Sequence, residues 1–278
     1  MQSRMLVGVI LLLVLRIATA QSQSNAQLSP ADLVKAVMRK ELDSPGVTAI
    51  RWKYLLAKKV DGRQETREVV ETKSGSLDRL IAMAGRPLTE GQQHEETERI
   101  LKLSHDPEEQ RRSEQTRRKD AEQCNRFLQM IPDAFGFEYV GESGGLTKII
   151  FKPNPNFQPP SREGKVLHEM AGEIWVDAKH QRLVSINGQL VNEVKFAGGL
   201  LGRLEKGGQF SVKRAEVAPG DWELTELIVN MHGRALLFKT ISVQQEELHQ
   251  HFERVPDDLS MSDAVALLLK QSLIASKR

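Results

Sequence analysis

Residues 172–196, GEIWVDAKHQRLVSINGQLVNEVKF, decide how this chain folds. Ile174 and Val176 oppose Glu173 and Trp175, a period of two that belongs to a strand, and the pattern predicts strands over 172–177 and 182–196. Further strands follow almost without pause over 209–215, 222–231 and 235–243. In the last of these, RALLFKTISV, Leu236 and Phe238 face one way while Ala235, Leu237, Ile241 and Val243 face the other. A sheet with two apolar faces has to cover both.

Upstream, residues 137–140 and 149–151 form a hairpin about GESGG, and KPNPNFQPPSREG (152–164) holds too much proline for anything but a loop. Earlier still, Thr89 with Gln92 three residues on marks a helix start. Asp106-Pro107 restarts a helix that runs to Ile131. From Ser104 to Arg126 almost nothing in it is apolar except Ala121 and Cys124, which reads as a solvated helix laced with salt bridges; mixed-sign charge makes no docking patch. Phe127, Leu128 and Ile131 anchor its far end. Residues 50–56 alternate, Asp61-Gly62 makes a two-residue hairpin turn, and strands at 66–72 and 77–83 complete a meander. The first helix has Ser29 as N-cap, Pro30 at its first position, and Leu33, Val37, Met38 and Leu42 on one face. A last helix over 262–275 carries Leu267, Leu268, Leu269, Leu273 and Ile274. It is too short to span a membrane but long enough to cover a sheet.

No repeat of fixed period is visible, and helices do not alternate with strands as βαβ units require. The expected fold is α+β, mostly β: one large curved antiparallel sheet, a half-barrel, with N-terminal, mid-chain and C-terminal helices. A curved sheet with an apolar concave face encloses a cavity. Residues 21–278 form a single domain, with the charged helical part inserted at about 89–131.

Residues 1–20 carry Arg4, an apolar run from Met5 to Leu15 and the small residues Ala18-Thr19-Ala20, the pattern of a secretory signal peptide cleaved near Ala20. The expected location is the periplasm or the outside of the cell. Cys124 is the only cysteine, so no intrachain disulfide forms and the fold rests on an ordinary core. Without Arg4 and Arg16 the 39 basic residues become 37, equal to the 37 acidic ones. That balance lacks the basic footprint of nucleic-acid binding.

The segments GRPLTEGQQ, PDAFGFEYVGE, GEIWVDAKHQRLVSINGQLV, VKFAGGLLGRLEKGGQF and GRALLFKTIS resemble a family of uncharacterised exported bacterial proteins. That family in turn is similar to the half-barrel class of the lipoprotein carriers LolA and LolB and the N-terminal domain of the envelope-stress regulator RseB. The second likeness rests on the order helix, meander, helical insertion and long β-run, opened by GEIWVD. It implies a concave apolar face that holds acyl chains, in a lipid, lipoprotein or envelope-protein partner, with peripheral membrane contact left open. The long charged helix departs from the carriers.

Trp175, Phe196, Phe210, Trp222 and Phe238 are the candidates for such an apolar lining; the alternative for each is plain core packing. The stretch AGGLLGRLEKGG (197–208) should connect antiparallel neighbours, and Leu200 and Leu201 either close over the concave face, touch a membrane or partner, or finish the core. Enzyme motifs are weaker. GESGG fits G-x-S-x-G with Ser143 in the middle, which keeps a serine hydrolase as the alternative, but a nucleophile elbow needs a following helix and Ile149 to Phe151 alternates as a strand. His249 and His251 would point to the same side of a strand with His232 within reach, but no Cys is near and no third ligand stands at zinc spacing, so they read as surface histidines. GGLLGRLEKGG matches no phosphate loop. The sequence points to no cofactor and no metal.

Overall fold

The computed structural model describes residues 28–43, 50–235 and 239–275. The expected signal peptide and Phe238 lie outside the described residues. Helix α1 (Pro30–Asp43) leads into the strands β1 (Arg51–Val60), β2 (Arg63–Thr72), β3 (Gly75–Met83) and the short β4 (Arg86–Pro87). Helices α2 (Glu90–His105) and α3 (Pro107–Ala134) follow, then β5 (Phe135–Ser143), β6 (Leu146–Pro153), α4 (Arg162–His168), β7 (Met170–Asp177) and β8 (Arg182–Leu190). The chain closes with β9 (Val194–Phe196), β10 (Gly202–Leu204), β11 (Gln209–Ala218), β12 (Asp221–Ala235), β13 (Lys239–Val255) and α5 (Met261–Ala275).

The described strands join one open, curved antiparallel sheet in the order β4-β3-β2-β1-β13-β12-β11-β8-β7-β6-β5, with β10 attached to β12 and β9 to β10 off this path. The hairpins form where turn chemistry is strongest. Asp61 and Gly62 adopt φ of 47° and 82° between β1 and β2, and Gly144 and Gly145 adopt 58° and 79° between β5 and β6. These are the left-handed positions that a two-residue turn matching the strand twist requires. The helix starts also follow local chemistry. Thr89 and Gln92 form a reciprocal capping box on α2, and the Asp106 carboxylate accepts the N–H groups of Glu108 and Glu109 ahead of α3.

Two cores hold the helices to the sheet. The larger sets Val34, Val37 and Met38 of α1 and Ile131 and Ala134 of α3 against Ile149, Phe151, Ile174, Ile186 and Leu190, all buried. The smaller sets Ile100 of α2 and Val265 and Leu268 of α5 against Val70 and Leu77 of β2 and β3. Helix α3 joins these regions: it touches α2 and β3 as well as α1, α4 and β5. Its 28 residues extend about 42 Å, enough to reach between strands near opposite ends of the sheet. Along the free side of β3, the Leu80 N–H donates to Glu96 Oε1 at 2.7 Å and Arg99 Nη2 donates to the Asp78 carbonyl at 2.7 Å. Side chains of α2 thus satisfy main-chain groups that would otherwise template another strand.

A buried charge cluster ties α1 to the strands. Glu41 Oε1 accepts the Leu183 N–H at 3.1 Å and lies 3.5 Å from Arg182 Nε, while Oε2 meets the guanidinium of Arg214.

Four sequence expectations change. The strand expected over 182–196 is two strands: β8 stops at Leu190, the Val191 N–H turns to the Glu169 carbonyl, and β9 pairs with β10 instead of with a long neighbour. AGGLLGRLEKGG is therefore not one connecting loop. It holds the tip of the β9–β10 hairpin, and β10 adds to the end of β12. Gly233 permits this, because a Cβ there would lie 2.2 Å from the Arg203 carbonyl oxygen. The loop expected over 152–164 ends in α4, capped by Ser161 Oγ accepting the Gly164 N–H. Finally, the strand expected over 235–243 straddles two: Ala235 ends β12 and pairs with Lys239 at the start of β13, which runs on to Val255, its polar second half held by cross-strand ion pairs such as Lys58 with Glu247 at 2.7 Å.

Candidate binding groove

The β9–β10 hairpin projects a finger. Ala197, Gly198 and Gly199 turn the chain at φ of 49°, 66° and 97°, and the next two side chains are thrown outward: Leu200 is 68% exposed and Leu201 48%. They do not finish the core. At the base of the finger, Phe196 and Leu204 pack on the edge of the larger core. Leu201 and Phe196, with Val166 of α4, line a hollow of about 270 Å³ whose polar wall is Arg162 and Glu163.

Glu163 also borders a second hollow, of about 510 Å³, lined by Phe127 and Met130 of α3 and by Phe157 and Pro160 of the proline-rich loop. Its rim carries Arg126, Gln129 and Asp133. The two hollows share one lining residue, Glu163 of α4, the first lying toward the finger and the second toward the end of α3. Arg126 and Arg162 stand beside them, and both add to the hydrogen bonds, from the Glu163 N–H and from Ser161, that hold the Glu163 carboxyl below its usual range. Apolar walls with guanidinium groups at the rim, beside Asp133 and Glu163, suit an amphiphile whose head accepts hydrogen bonds.

A different surface lies on the other side of the sheet. Alternation sends Ile174, Ile186 and Val212 into or against the larger core and turns Glu173, Asn187 and Ser211 outward. There a trough of about 750 Å³ crosses the strands from Lys59 of β1 to Ile150 of β6. Asn187, Gln189, Gln209, Asn230 and Gln244 line it, with Ile228. The expected apolar lining of the sheet's broad cleft is thus replaced by amides, because the apolar alternates face the helices.

The candidate lining residues are not brought together. Phe196 and Leu201 line the hollow beside the finger, and Leu200 stands exposed at the fingertip. Trp175 is on the trough side of β7, its indole N–H donating to Glu173 Oε1 at 3.2 Å and its ring 5.3 Å from Lys148 Nζ. Phe210 covers Gly188 on the opposite side, where a Cβ would meet its ring at 2.2 Å. Trp222 is the second residue of β12, its ring 6.0 Å from the guanidinium of Arg182. The residues missed as lining were Met130, Phe157 and Val166. Ser161 as an N-cap followed by Val166 and Leu167 was the available signal, masked by the prolines before it.

Ser143 ends β5 and pairs with Leu146 across the glycine turn, so a strand follows it and not a helix. His249 stacks on Tyr54 at 5.2 Å and stands 3.5 Å from Glu247, while His251 sits at a bulge with φ of 57°. Among the described residues no group of three His, Cys, Asp or Glu side chains is arranged to hold a metal. No helix of the described residues is long and apolar enough to cross a membrane.

Comparison with protein-family models, with curated proteins and with solved structures gives no match.

Proposed function

We propose that this chain is a non-catalytic binding protein of the periplasm or cell exterior that takes an acyl chain, carried by a lipid or lipoprotein whose head accepts hydrogen bonds, in the groove between the finger and helices α3 and α4. The observation that carries the reading is the outward position of Leu200 and Leu201 beside a hollow already walled by Phe196 and Val166. Exposed leucines on a glycine-flanked tip add little to the fold and gain by meeting an apolar ligand, up to about 1.5 to 3 kcal/mol for each when fully covered. Arg126 and Arg162 supply the head-group end.

The test is titration with a fluorescent fatty acid and with phosphatidylglycerol vesicles, comparing the natural chain with Leu200→Ser/Leu201→Ser. Affinity should fall by about tenfold or more, with Tm shifted by only a few degrees. Binding that survives in the variant, or a variant that unfolds far more easily, refutes the reading. Ser143→Ala is the control for the hydrolase alternative: a turn substitution should leave binding and stability unchanged, and an esterase activity lost in it would favour the enzyme.

A further inference from the structure

The trough on the other face carries a different chemistry. Its charged groups are neutralised within the protein: Lys59 pairs with Glu246 at 3.3 Å, and Glu173 with Lys148 at 2.6 Å. Glu173 also accepts from Trp175 and Asn187, and Ser211 donates to Asn187 Oδ1 at 2.6 Å. By contrast the side-chain amides of Gln189, Gln209, Asn230 and Gln244 have no hydrogen-bond partner among the described residues. All four are exposed and line the same trough.

Each such amide offers two donors and an acceptor with two lone pairs. An array of them without net charge suits a ligand whose groups also donate and accept, and offers nothing to a salt-dependent polyanion. The dimensions restrict the ligand further. From β1 to β6 the trough crosses six strand intervals, roughly 29 Å at about 4.8 Å each. The trough is open to solvent and runs across the strands, so an extended chain can lie in it. Because the trough lies on a sheet face, an extended peptide would find no free strand edge with which to pair its main chain. Hydroxyls of a sugar chain need none.

We infer that this trough is a second site, separate from the acyl groove, and that it binds a neutral oligosaccharide chain laid across the strands, held by Gln189, Gln209, Asn230 and Gln244. The inference does not rest on the acyl-binding reading.

Cellohexaose, maltohexaose and chitohexaose, each titrated calorimetrically into the natural chain, provide the probes. At least one should bind, with an affinity insensitive to added salt. Gln209→Ala/Asn230→Ala should reduce that affinity by about tenfold or more, as expected for two lost amide contacts, with Tm unchanged. Leu200→Ser/Leu201→Ser should leave it intact, which separates this site from the groove. Failure of all three sugars to bind, binding indifferent to the amide substitutions, or tighter binding of a neutral Ser/Asn peptide of the same length overturns the proposal.

Discussion

Replacing Glu41 by Gln isolates the charge of a side chain that the fold has almost removed from water. The Glu41 side chain is 2% exposed, Arg182 8% and Arg214 20%. Glutamine keeps the shape and can still accept the Leu183 N–H through Oε1, but its amide nitrogen then faces the Arg214 guanidinium donor to donor. Breaking a buried pair by removing one charge costs about 3 to 5 kcal/mol. Arg214 is partly exposed and also donates to the Trp222 carbonyl, so the loss belongs at the lower end, about 3 kcal/mol. Total stability of a domain is about 5 to 15 kcal/mol, and each kcal/mol moves Tm by about 2 to 4 °C at this size, which predicts a drop of about 6 to 12 °C. Thermal melting followed by circular dichroism measures it. The double variant Glu41→Leu/Arg214→Leu removes both charges and should be more stable than the sum of its single variants implies. A Glu41→Gln Tm within 2 °C of the natural chain, or strict additivity in the double variant, would refute the argument that burial gives this pair its weight.

Gly172→Ala should destabilise by about 3 kcal/mol or more, because its Cβ would lie 1.9 Å from the Asn187 carbonyl oxygen and β7 and β8 would have to part; urea denaturation reads the loss. Acid titration of stability should show a loss between about pH 4.5 and pH 2 that Glu247→Gln reduces. His249, then Lys58 and Gln245, hold the Glu247 carboxyl down at about 2 against the opposing effect of burial, so its contribution is complete above the ordinary carboxylate range and disappears as the group protonates. The full shift corresponds to about 3 kcal/mol, reduced by solvent screening to about 1 to 2.

Features governed by near neighbours were legible in the sequence. Asp61-Gly62, Gly144-Gly145, Thr89 with Gln92, and Asp106-Pro107 each fix a turn or a helix start through contacts within a few residues, and each stands where the pattern placed it. The break after Leu190 was not legible. Val194 and Phe196 continue the alternation of β8, and only the pairing of β10 with the end of β12 diverts them. The second half of β13 was missed because its residues are held by partners on β1 that lie nearly two hundred positions away. For the groove, glycines around Leu200 and Leu201 marked the finger, whereas its other wall comes from α3 and α4 and required the tertiary fold. The trough gave no signal at all. Its amides alternate with buried residues as on any solvated strand, and only the order β1-β13-β12-β11-β8-β7-β6 gathers them.

The charged helix and the apolar groove answer to one constraint. A segment linking β4 to β5 has to travel from one end of the sheet towards the other, and α3 does so with its ends docked and its middle in water. A helix without a buried face there has to draw stability from its own surface, through good helix formers and ion pairs at the spacing of one turn. Arg112 lies 3.6 Å from Glu108 and 3.8 Å from Glu109, and Arg118 lies 3.7 Å from Glu114. Exposed pairs of this kind contribute only about 0.3 to 0.5 kcal/mol each, so the docked ends carry most of the load. At the far end Ile131 and Ala134 turn into the core, and helical periodicity then leaves Phe127 and Met130 on a neighbouring face, where they wall the groove. The residue that begins β5, Phe135, is itself buried in that core, which holds the groove wall to the sheet edge without an intervening loop.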